Sequence, residues 1–300
     1  MPHPRLPAPA HGEVLLVCTS YEDGKARWGG ALTALGGRRE GDTVTLDGGV
    51  RLRLAEHPGW DYLHGGDFPA LAAADGPAPQ VIVHADIPVV FGGDDPLVVD
   101  MRDVPGRGVR VAANDLGRVL ADLASGALRF DELVQGMDRW GRYRGDGGAP
   151  ETPTPTAVVR TSFPRLPAGG GTILVRTDFL DDAGWRALLG ALPDPELDGD
   201  PEDGEYGDHV DLDPVVVDDP AYADLQPGQV PALVPPGRSP DGHTTMVALA
   251  DAEALADPAR PLLVVDLYDT PGQVARVPLD EAGSMAANLE IANMDFADFV

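Results

Sequence analysis

Three carboxylates follow a predicted strand in the second half of the chain. Asp178, Asp181 and Asp182 come directly after the apolar run that starts at Thr172. The carboxyl end of a strand in an α/β sheet is the usual place for a binding site, and three carboxylates there could hold Mg²⁺. Asp181 also lies where the next helix needs its N-cap. A cap is the simpler interpretation, because the matching segment of the first half keeps only Asp23.

A second kind of acid lies inside a strand. Asp100 and Asp266 each end a Val-Val-Asp run, and a buried carboxylate is costly unless it is paired. In both places an arginine follows ten residues later, across a predicted hairpin. The sequence therefore predicts the ion pairs Asp100–Arg110 and Asp266–Arg276. Catalysis by these carboxylates is the alternative interpretation.

These matching acids belong to an internal repeat. Residues 100–134 overlie residues 266–300 without a gap, and eleven of the 35 positions are identical. The earlier segments also match, because a short strand and a helical segment with a tryptophan open each half. We call the two halves copy 1 and copy 2. The repeat predicts a tandem duplication.

The elements of each copy indicate an α/β domain. A buried strand feeding an amphipathic helix is the first half of an α/β unit. Each copy closes with a strand, a Pro-Gly pair suited to a type II turn, a second strand and a helix. We therefore expect one small α/β domain with a mixed sheet, present twice and packed as a pseudo-dimer.

The repeat also sets the expected domain limits. Residues 1–12 form a Pro-rich tail, 13–135 form copy 1, 136–171 form a linker and 172–300 form copy 2. The linker is Pro/Thr/Gly-rich apart from an Arg/aromatic part, which we expect to dock on an acidic face of copy 2 through Trp140. A disordered strap is the alternative. Copy 2 also has an acid-rich stretch, Asp194 to Asp213, which predicts a solvated loop.

Composition limits the classes of partner. The net charge is −27, with −6 in residues 1–150 and −21 in residues 151–300. A chain this acidic lacks the clustered Lys and Arg that a nucleic-acid backbone requires. The charge is compatible with a basic protein partner, or with solubility alone. We therefore predict no nucleic acid among the partners.

Cysteine usage and hydropathy indicate the compartment. Cys18 is the single cysteine, so an internal disulfide is excluded. The start of the chain has no apolar run that could act as a signal segment. No stretch approaches eighteen apolar residues, so we expect no membrane span. These features predict a cytoplasmic protein.

Copy 2 resembles an uncharacterised domain family, found mainly in actinobacteria and classed as a domain of unknown function. The resemblance rests on four blocks, of which the last is the most specific: Leu174–Trp185, Val217–Tyr222, Pro261–Leu267 and Asn288–Phe299. It implies domain limits and an α/β fold, but no reaction. Copy 1 loses much of the polar signature, which in copy 2 includes Arg176, Asp178, Asn288, Asn293 and Asp295. These polar residues could tie the tail to the sheet or form a recognition surface.

Recognisable catalytic motifs are absent from the sequence. There is no Gly-x-Ser-x-Gly, no phosphate loop and no Gly-x-Gly-x-x-Gly. A metal trio of His57, His64 and His84 is a weak alternative, and Cys18 reads as a core residue. We therefore predict no cofactor and no catalytic residue, and we favour a protein that is not an enzyme.

The sequence thus predicts an acidic cytoplasmic binding protein, immunity-like or an escort for a basic partner. The alternative is an enzyme, or a binder of a small ligand or metal, with its site at the strand ends of copy 2 or between the copies. The residues expected to form the binding site are Arg176, Asp178, Asp181, Asp182, Asp266, Asn288, Asn293 and Asp295.

Overall fold

A computed structural model describes residues 3–72, 79–193, 211–236 and 243–300. In these ranges each copy forms one main sheet. The acid-rich stretch Asp194 to Asp213 lies outside the described residues except for its last three. Within the described ranges, no helix is both long enough and apolar enough to cross a membrane.

Copy 1 contains a seven-stranded sheet in the order β4-β5-β6-β1-β7-β8-β9. Two very short strands, β2 and β3, form a separate ribbon. The strands of copy 1 are β1 (Glu13–Cys18), β2 (Tyr21–Glu22), β3 (Lys25–Ala26), β4 (Arg38–Glu40), β5 (Thr43–Thr45), β6 (Arg51–Ala55), β7 (Val81–Ala85), β8 (Leu97–Asp100) and β9 (Gly108–Arg110). Its α-helices are α1 (Gly29–Leu35), α2 (Phe68–Leu71), α3 (Leu116–Ser125) and α4 (Phe130–Gln135).

Copy 2 contains a five-stranded sheet in the order β11-β10-β12-β13-β14. Its strands are β10 (Gly171–Arg176), β11 (Val215–Val217), β12 (Thr244–Ala250), β13 (Leu262–Asp266) and β14 (Val274–Val277). Its α-helices are α5 (Asp182–Leu189), α6 (Ala252–Ala256) and α7 (Leu279–Glu290).

The two sheets share one topology. In each copy the first strand is parallel to both neighbours, β6 and β7 in copy 1 and β11 and β12 in copy 2. The next two strands are antiparallel in both copies. Copy 1 adds β4 and β5 at one edge. The predicted α/β class, mixed sheet and tandem duplication are therefore confirmed.

The central strands are apolar because both faces of each sheet are covered. In β1, Leu16 joins the core under α1, α3 and α4, whereas Leu15 and Val17 face the opposite core. In β10, Leu174 faces the helices and its neighbours Ile173 and Val175 face the other side. The sequences of β1 and β10 are therefore almost continuously hydrophobic.

The hairpin loop between the last two strands uses its buried aspartate to hold the backbone. The Asp266 carboxylate accepts hydrogen bonds from the amides of Tyr268, Asp269 and Thr270. Asp100 accepts three in the same way from the loop of copy 1. The turn glycines have positive φ, 98° at Gly106 and 91° at Gly272, as a type II turn requires.

The predicted ion pairs Asp100–Arg110 and Asp266–Arg276 are wrong. Arg110 pairs instead with Asp86, at 2.8 Å, and Arg276 pairs with Asp251, also at 2.8 Å. Asp86 follows β7 and Asp251 follows β12. Both lie at the opposite end of the strands from the hairpin loop. The repeat correctly predicted that the arginine of each copy forms an ion pair, but it did not identify the aspartate with which that arginine pairs.

The Arg/aromatic segment after copy 1 belongs structurally to that copy. Tyr143 donates its amide to the carbonyl of Arg110 in β9, and Arg142 bridges to the same strand. Trp140 is 45% exposed. Contact with copy 2 comes from Arg139, whose Nη2 donates to the carbonyl of Ala297 at 2.8 Å. The segment therefore reaches copy 2 through a hydrogen bond from Arg139 to a backbone carbonyl, whereas docking through Trp140 stays a prediction.

Candidate ligand site between the two copies

The acids after β10 surround a buried arginine. The Arg176 guanidinium donates to the Asp182 carboxylate at 2.6 Å, to the Asp178 carbonyl at 2.9 Å and to the Asp218 carboxylate at 3.4 Å. The Arg176 pairing holds the pKa of Asp182 below its usual value. This predicted cluster is an internal ion-pair network.

Asp181 has a local role at the start of α5. Its carboxylate accepts from the amides of Ala183 and Gly184, so it is the N-cap of the helix. Asp178 accepts from the amide of Leu180. Within the described residues, no group of three His, Cys, Asp or Glu side chains is placed to hold a metal ion. The geometry here is that of a capped helix.

The remaining predicted residues lie at the opposite edge of copy 2. Asn288 donates to the Ser284 carbonyl, and Asn293 donates to the Asn288 side chain, both at 2.8 Å. These two asparagines close the carboxyl end of α7. Asp266 and Asp295 differ from them because both line a cavity. The structure therefore separates the predicted residues into two groups at opposite edges of one sheet.

The cavity has a volume of about 230 Å³ and lies between the copies. Copy 1 contributes Tyr62, His64 and Ile87. Copy 2 contributes the end of α7, the start of β12 and the hairpin loop. The lining residues from copy 2 are His243, Thr245, Asp266, Tyr268, Asp269, Leu289, Glu290, Ala292, Met294 and Asp295.

The copy 1 wall is fixed by its own backbone. Tyr62 has φ of 63°, a left-handed conformation that is rare for a non-glycine residue. Its amide donates to the carbonyl of Thr19 at 3.0 Å, at the end of β1. The amide of His64 donates to the Asp67 carboxylate at 2.9 Å. These bonds direct both side chains toward copy 2.

Direct contacts hold the two copies together beside the cavity. Arg110 donates from Nη2 to the Asp269 carbonyl at 2.7 Å. The amide of Gly108 donates to the carbonyl of Pro271 at 2.8 Å. Gly66 packs so tightly that a Cβ would lie 2.8 Å from the Pro231 carbonyl oxygen. The hairpin loop of copy 2 is therefore docked against β9 of copy 1.

Two histidines meet at one side of the cavity. His64 Nε2 lies 3.0 Å from His243 Nδ1, and the His64 ring lies 4.3 Å from the Tyr268 ring, between centroids. Burial and the neighbouring His243 lower the pKa of His64 to about 3. Burial also lowers the pKa of His243. Both imidazoles are therefore uncharged at neutral pH. Each has one N–H donor and one acceptor nitrogen, which can form a hydrogen bond with the other ring or with a ligand.

Four carboxylates also line the cavity, those of Asp266, Asp269, Glu290 and Asp295. Burial and the adjacent Asp269 raise the pKa of Asp266 to about 7. Burial likewise raises the pKa of Asp269, whose carboxylate accepts from the amide of Phe296 at 3.0 Å. Glu290 and Asp295 are exposed at the rim. Of the described residues that line the cavity, none is Lys or Arg.

A sequence comparison now gives the family. The model of a domain of unknown function, DUF6924, matches residues 13–146 and again residues 171–300. The protein belongs to the DUF6924 family. No curated protein and no solved structure matches the chain. The first DUF6924 match extends to residue 146 and so includes the segment that pairs with β9.

Sequence reasoning missed most of the side chains between the two DUF6924 domains. It did not select Tyr62, Tyr268 or Asp269, and it placed His64 in a metal trio that the structure does not form. His57 accepts from the Gly59 amide and His84 contacts the Thr19 hydroxyl. The one available signal was the Asp266 position, since the hairpin loop that follows it carries both Tyr268 and Asp269.

Proposed function

We propose that this protein binds a small ligand in the cavity between its two DUF6924 domains. The carrying observation is a cavity of about 230 Å³ whose walls come from both copies and combine apolar, aromatic and polar side chains. Ligand sites are typically concave and mostly apolar, with a few polar groups, and they often lie at domain interfaces.

The contrast with the other predicted site supports this choice. At the end of β10 the side chains of Arg176, Asp181 and Asp182 bond to one another or to the backbone. In the cavity, Glu290 and Asp295 are exposed, and two uncharged imidazoles face each other. The cavity thus offers hydrogen-bonding groups to a ligand.

Binding rather than catalysis is the proposed activity. The cavity holds carboxylates and uncharged histidines, but the described residues include no nucleophile activated by a neighbouring base within it. Cys18, the single thiol, is buried, and burial raises its pKa to about 11. Such a thiol is unreactive at neutral pH.

A cavity-filling variant tests the proposal. Met294 lines the cavity, whereas Ile291, three residues earlier, does not line it and is 73% exposed. We expect small amphiphilic fragments to shift NMR signals of Tyr62, His64 and Tyr268 in the wild type and in Ile291→Trp. Met294→Trp should abolish those shifts. Shifts that persist in Met294→Trp, or that never appear at these residues, would contradict the proposal.

A second candidate is a basic protein partner, encountered in the cytoplasm. It is supported by the net charge of −27 and by Leu180, which is 96% exposed between Asp178 and Asp181. An apolar side chain among acids suits a partner that presents Lys or Arg around an apolar pocket. Leu180→Ser should weaken binding of such a partner, and Val159→Ser, at a site 80% exposed, should not. Equal effects of the two variants in a titration would exclude this surface.

A further inference from the structure

We propose that the ligand of the inter-domain cavity is a small organic cation, an amine or ammonium group carried on an apolar body. This inference rests on the proposed function and names its ligand class. It is carried by three features, namely the size of the cavity, the sign of its charges and a cation present in copy 1 that copy 2 lacks.

The size of the cavity limits the ligand. A cavity of about 150 Å³ holds benzene, so the 230 Å³ here holds roughly nine non-hydrogen atoms. Ile87, Leu289 and Met294 supply apolar contact for a compact carbon skeleton. The matching ligand is therefore a small molecule with one polar end, which is too small to be a nucleotide or a peptide.

The electrostatics of the lining favour a positive charge. Four carboxylates line the cavity, Asp266, Asp269, Glu290 and Asp295, and none of the described lining residues is Lys or Arg. The carboxyl end of α7, at Glu290, adds the partial negative charge of a helix C-terminus. The two histidines are uncharged and do not offset this field. These carboxylates would repel an anion.

The duplication shows which cation is missing. In copy 1 Arg107 donates from Nη2 to Asp131 at 2.6 Å and lies 3.4 Å from Asp100. The corresponding residues of copy 2 are Gln273 and Ala297, both uncharged. Asp266 is therefore a buried carboxylate that has lost its guanidinium, and the cavity opens beside it. A ligand cation would supply the charge that the chain provides in copy 1.

Aromatic rings complete the recognition surface. The Tyr268 ring is tilted by 51° against the His64 ring, and both Tyr268 and Tyr62 line the cavity. Cations bind over aromatic faces within about 6 Å of the centroid. Both rings are partly exposed, at 44% for Tyr62 and 39% for Tyr268, so a ligand can reach them from solvent.

Matched probes of different charge test the inference. Isothermal titration of the full chain would compare phenethylamine, phenethyl alcohol and phenylacetate, which have nearly the same shape. Hydrogen bonds to charged groups are worth enough for the amine to bind about tenfold or more tighter than the alcohol. Phenylacetate should not bind. Asp269→Asn should remove most of this preference, because it neutralises a half-buried carboxylate of the lining.

The second copy provides the control. Asp103 occupies the same hairpin position in copy 1 and lies outside the cavity, so Asp103→Asn should leave phenethylamine binding unchanged. If Asp269→Asn does not fold, Glu290→Gln replaces it and Glu281→Gln, at the other end of α7, is its control. For each variant, the measured quantity is the ratio of the affinity for phenethylamine to the affinity for phenethyl alcohol.

The outcomes separate the two proposals. If phenethyl alcohol or phenylacetate binds as tightly as the amine and Met294→Trp abolishes that binding, the cavity binds ligands but the cation inference fails. If none of the three probes binds, or if Met294→Trp leaves binding unchanged, the proposed function fails as well. A preference for the amine that Asp269→Asn removes and Asp103→Asn keeps supports both.

Discussion

The buried aspartates show what residue-level reasoning could and could not predict. That a carboxylate at Asp100 or Asp266 needs compensation followed from burial alone. Its partner did not, because the hairpin register places Arg110 opposite Leu97 and Arg276 opposite Leu263. Each arginine therefore lies at the far end of its hairpin, close to Asp86 or Asp251, which follow β7 and β12 two strands away. Backbone amides bind both buried aspartates instead.

The missing cation in copy 2 gives a prediction on pH dependence. Burial and Asp269 raise the pKa of Asp266 from 3.8 to about 7. A carboxyl group whose pKa is raised in the folded state destabilises the folded protein as the pH rises from the ordinary pKa to the raised one. The wild type should therefore lose unfolding free energy with rising pH, by about 1.4 kcal/mol for each unit by which the pKa is raised, and Asp266→Asn should not show this loss. Urea unfolding of Asp266→Asn and wild type between about pH 4 and pH 8 measures this difference.

Adding a positive charge beside Asp266 should also reduce the pH dependence of stability. Gln273→Arg places in copy 2 the guanidinium that copy 1 holds as Arg107, so we expect the pKa of Asp266 to fall and the pH slope to flatten. His64 contributes with the opposite sign, since its pKa is lowered to about 3 and its contribution is lost as pH falls below 6.5. Asp269, His64, His243 and Tyr268 line the same cavity as Asp266 and can also titrate, so only the difference from wild type isolates the contribution of Asp266. Parallel slopes for variant and wild type would contradict this account.

Helix ends were the elements predicted best. Asp181 caps α5 as its position indicated, and a helix follows the closing hairpin of each copy as the repeat predicted. Local signals suffice here because a cap binds amides two or three residues away. Strand order could not be predicted in this way. It depends on which distant segments pair, as when β1 inserts between β6 and β7.

The carboxyl ends of α3 and α7 give an element-scale prediction. Gly126 ends α3 with φ of 75°, and at the matching position after α7 Ala292 has φ of 51°. A left-handed conformation costs a non-glycine residue about 1 kcal/mol or more. Ala292→Gly should raise the unfolding free energy by roughly 0.5–1 kcal/mol.

The reciprocal change is the control. A Cβ at Gly126 would meet no atom within 4 Å, so Gly126→Ala changes the backbone energy alone. It should lower the unfolding free energy by about 1 kcal/mol. Chemical denaturation of the two variants against wild type measures both effects. Changes of the same sign in the two variants would show that the backbone conformation is not the cause.

At the scale of the molecule, the copies are similar but their matching ion pairs are not equally buried. The Arg110 and Asp86 side chains are 4% and 11% exposed, because the hairpin loop of copy 2 covers them. The Arg276 and Asp251 side chains are 24% and 27% exposed. Duplicated sequence therefore produced one pair inside the interface and one outside it. This asymmetry is a property of the assembled chain.

The two pairs should respond differently to the same substitution. Arg110→Met leaves Asp86 buried without a partner and should lower the unfolding free energy by about 3–5 kcal/mol. Arg276→Met removes a pair that solvent screens and should cost about 1 kcal/mol or less. Chemical denaturation measures both. Equal costs would contradict the arrangement in which copy 2 covers the first pair.

The cavity itself was beyond the sequence. His64 and His243 are 179 residues apart, and nothing in their local sequence indicates that they meet. The repeat comparison also directed attention away from them, since no histidine occupies a matching place in both copies. A site formed between copies depends on how the copies dock. The sequence predicted that they would pack together but not which surfaces would face each other.

The central claim is that the cavity between the copies is the binding site, and a crystal structure of the full chain soaked with phenethylamine tests it most directly. We predict density for the ring beside Ile87 and Met294, with the ammonium group within hydrogen-bond distance of the Asp269 carboxylate. Phenethylamine bound elsewhere on the chain, with the cavity between Tyr62 and Tyr268 holding only water, would contradict the account.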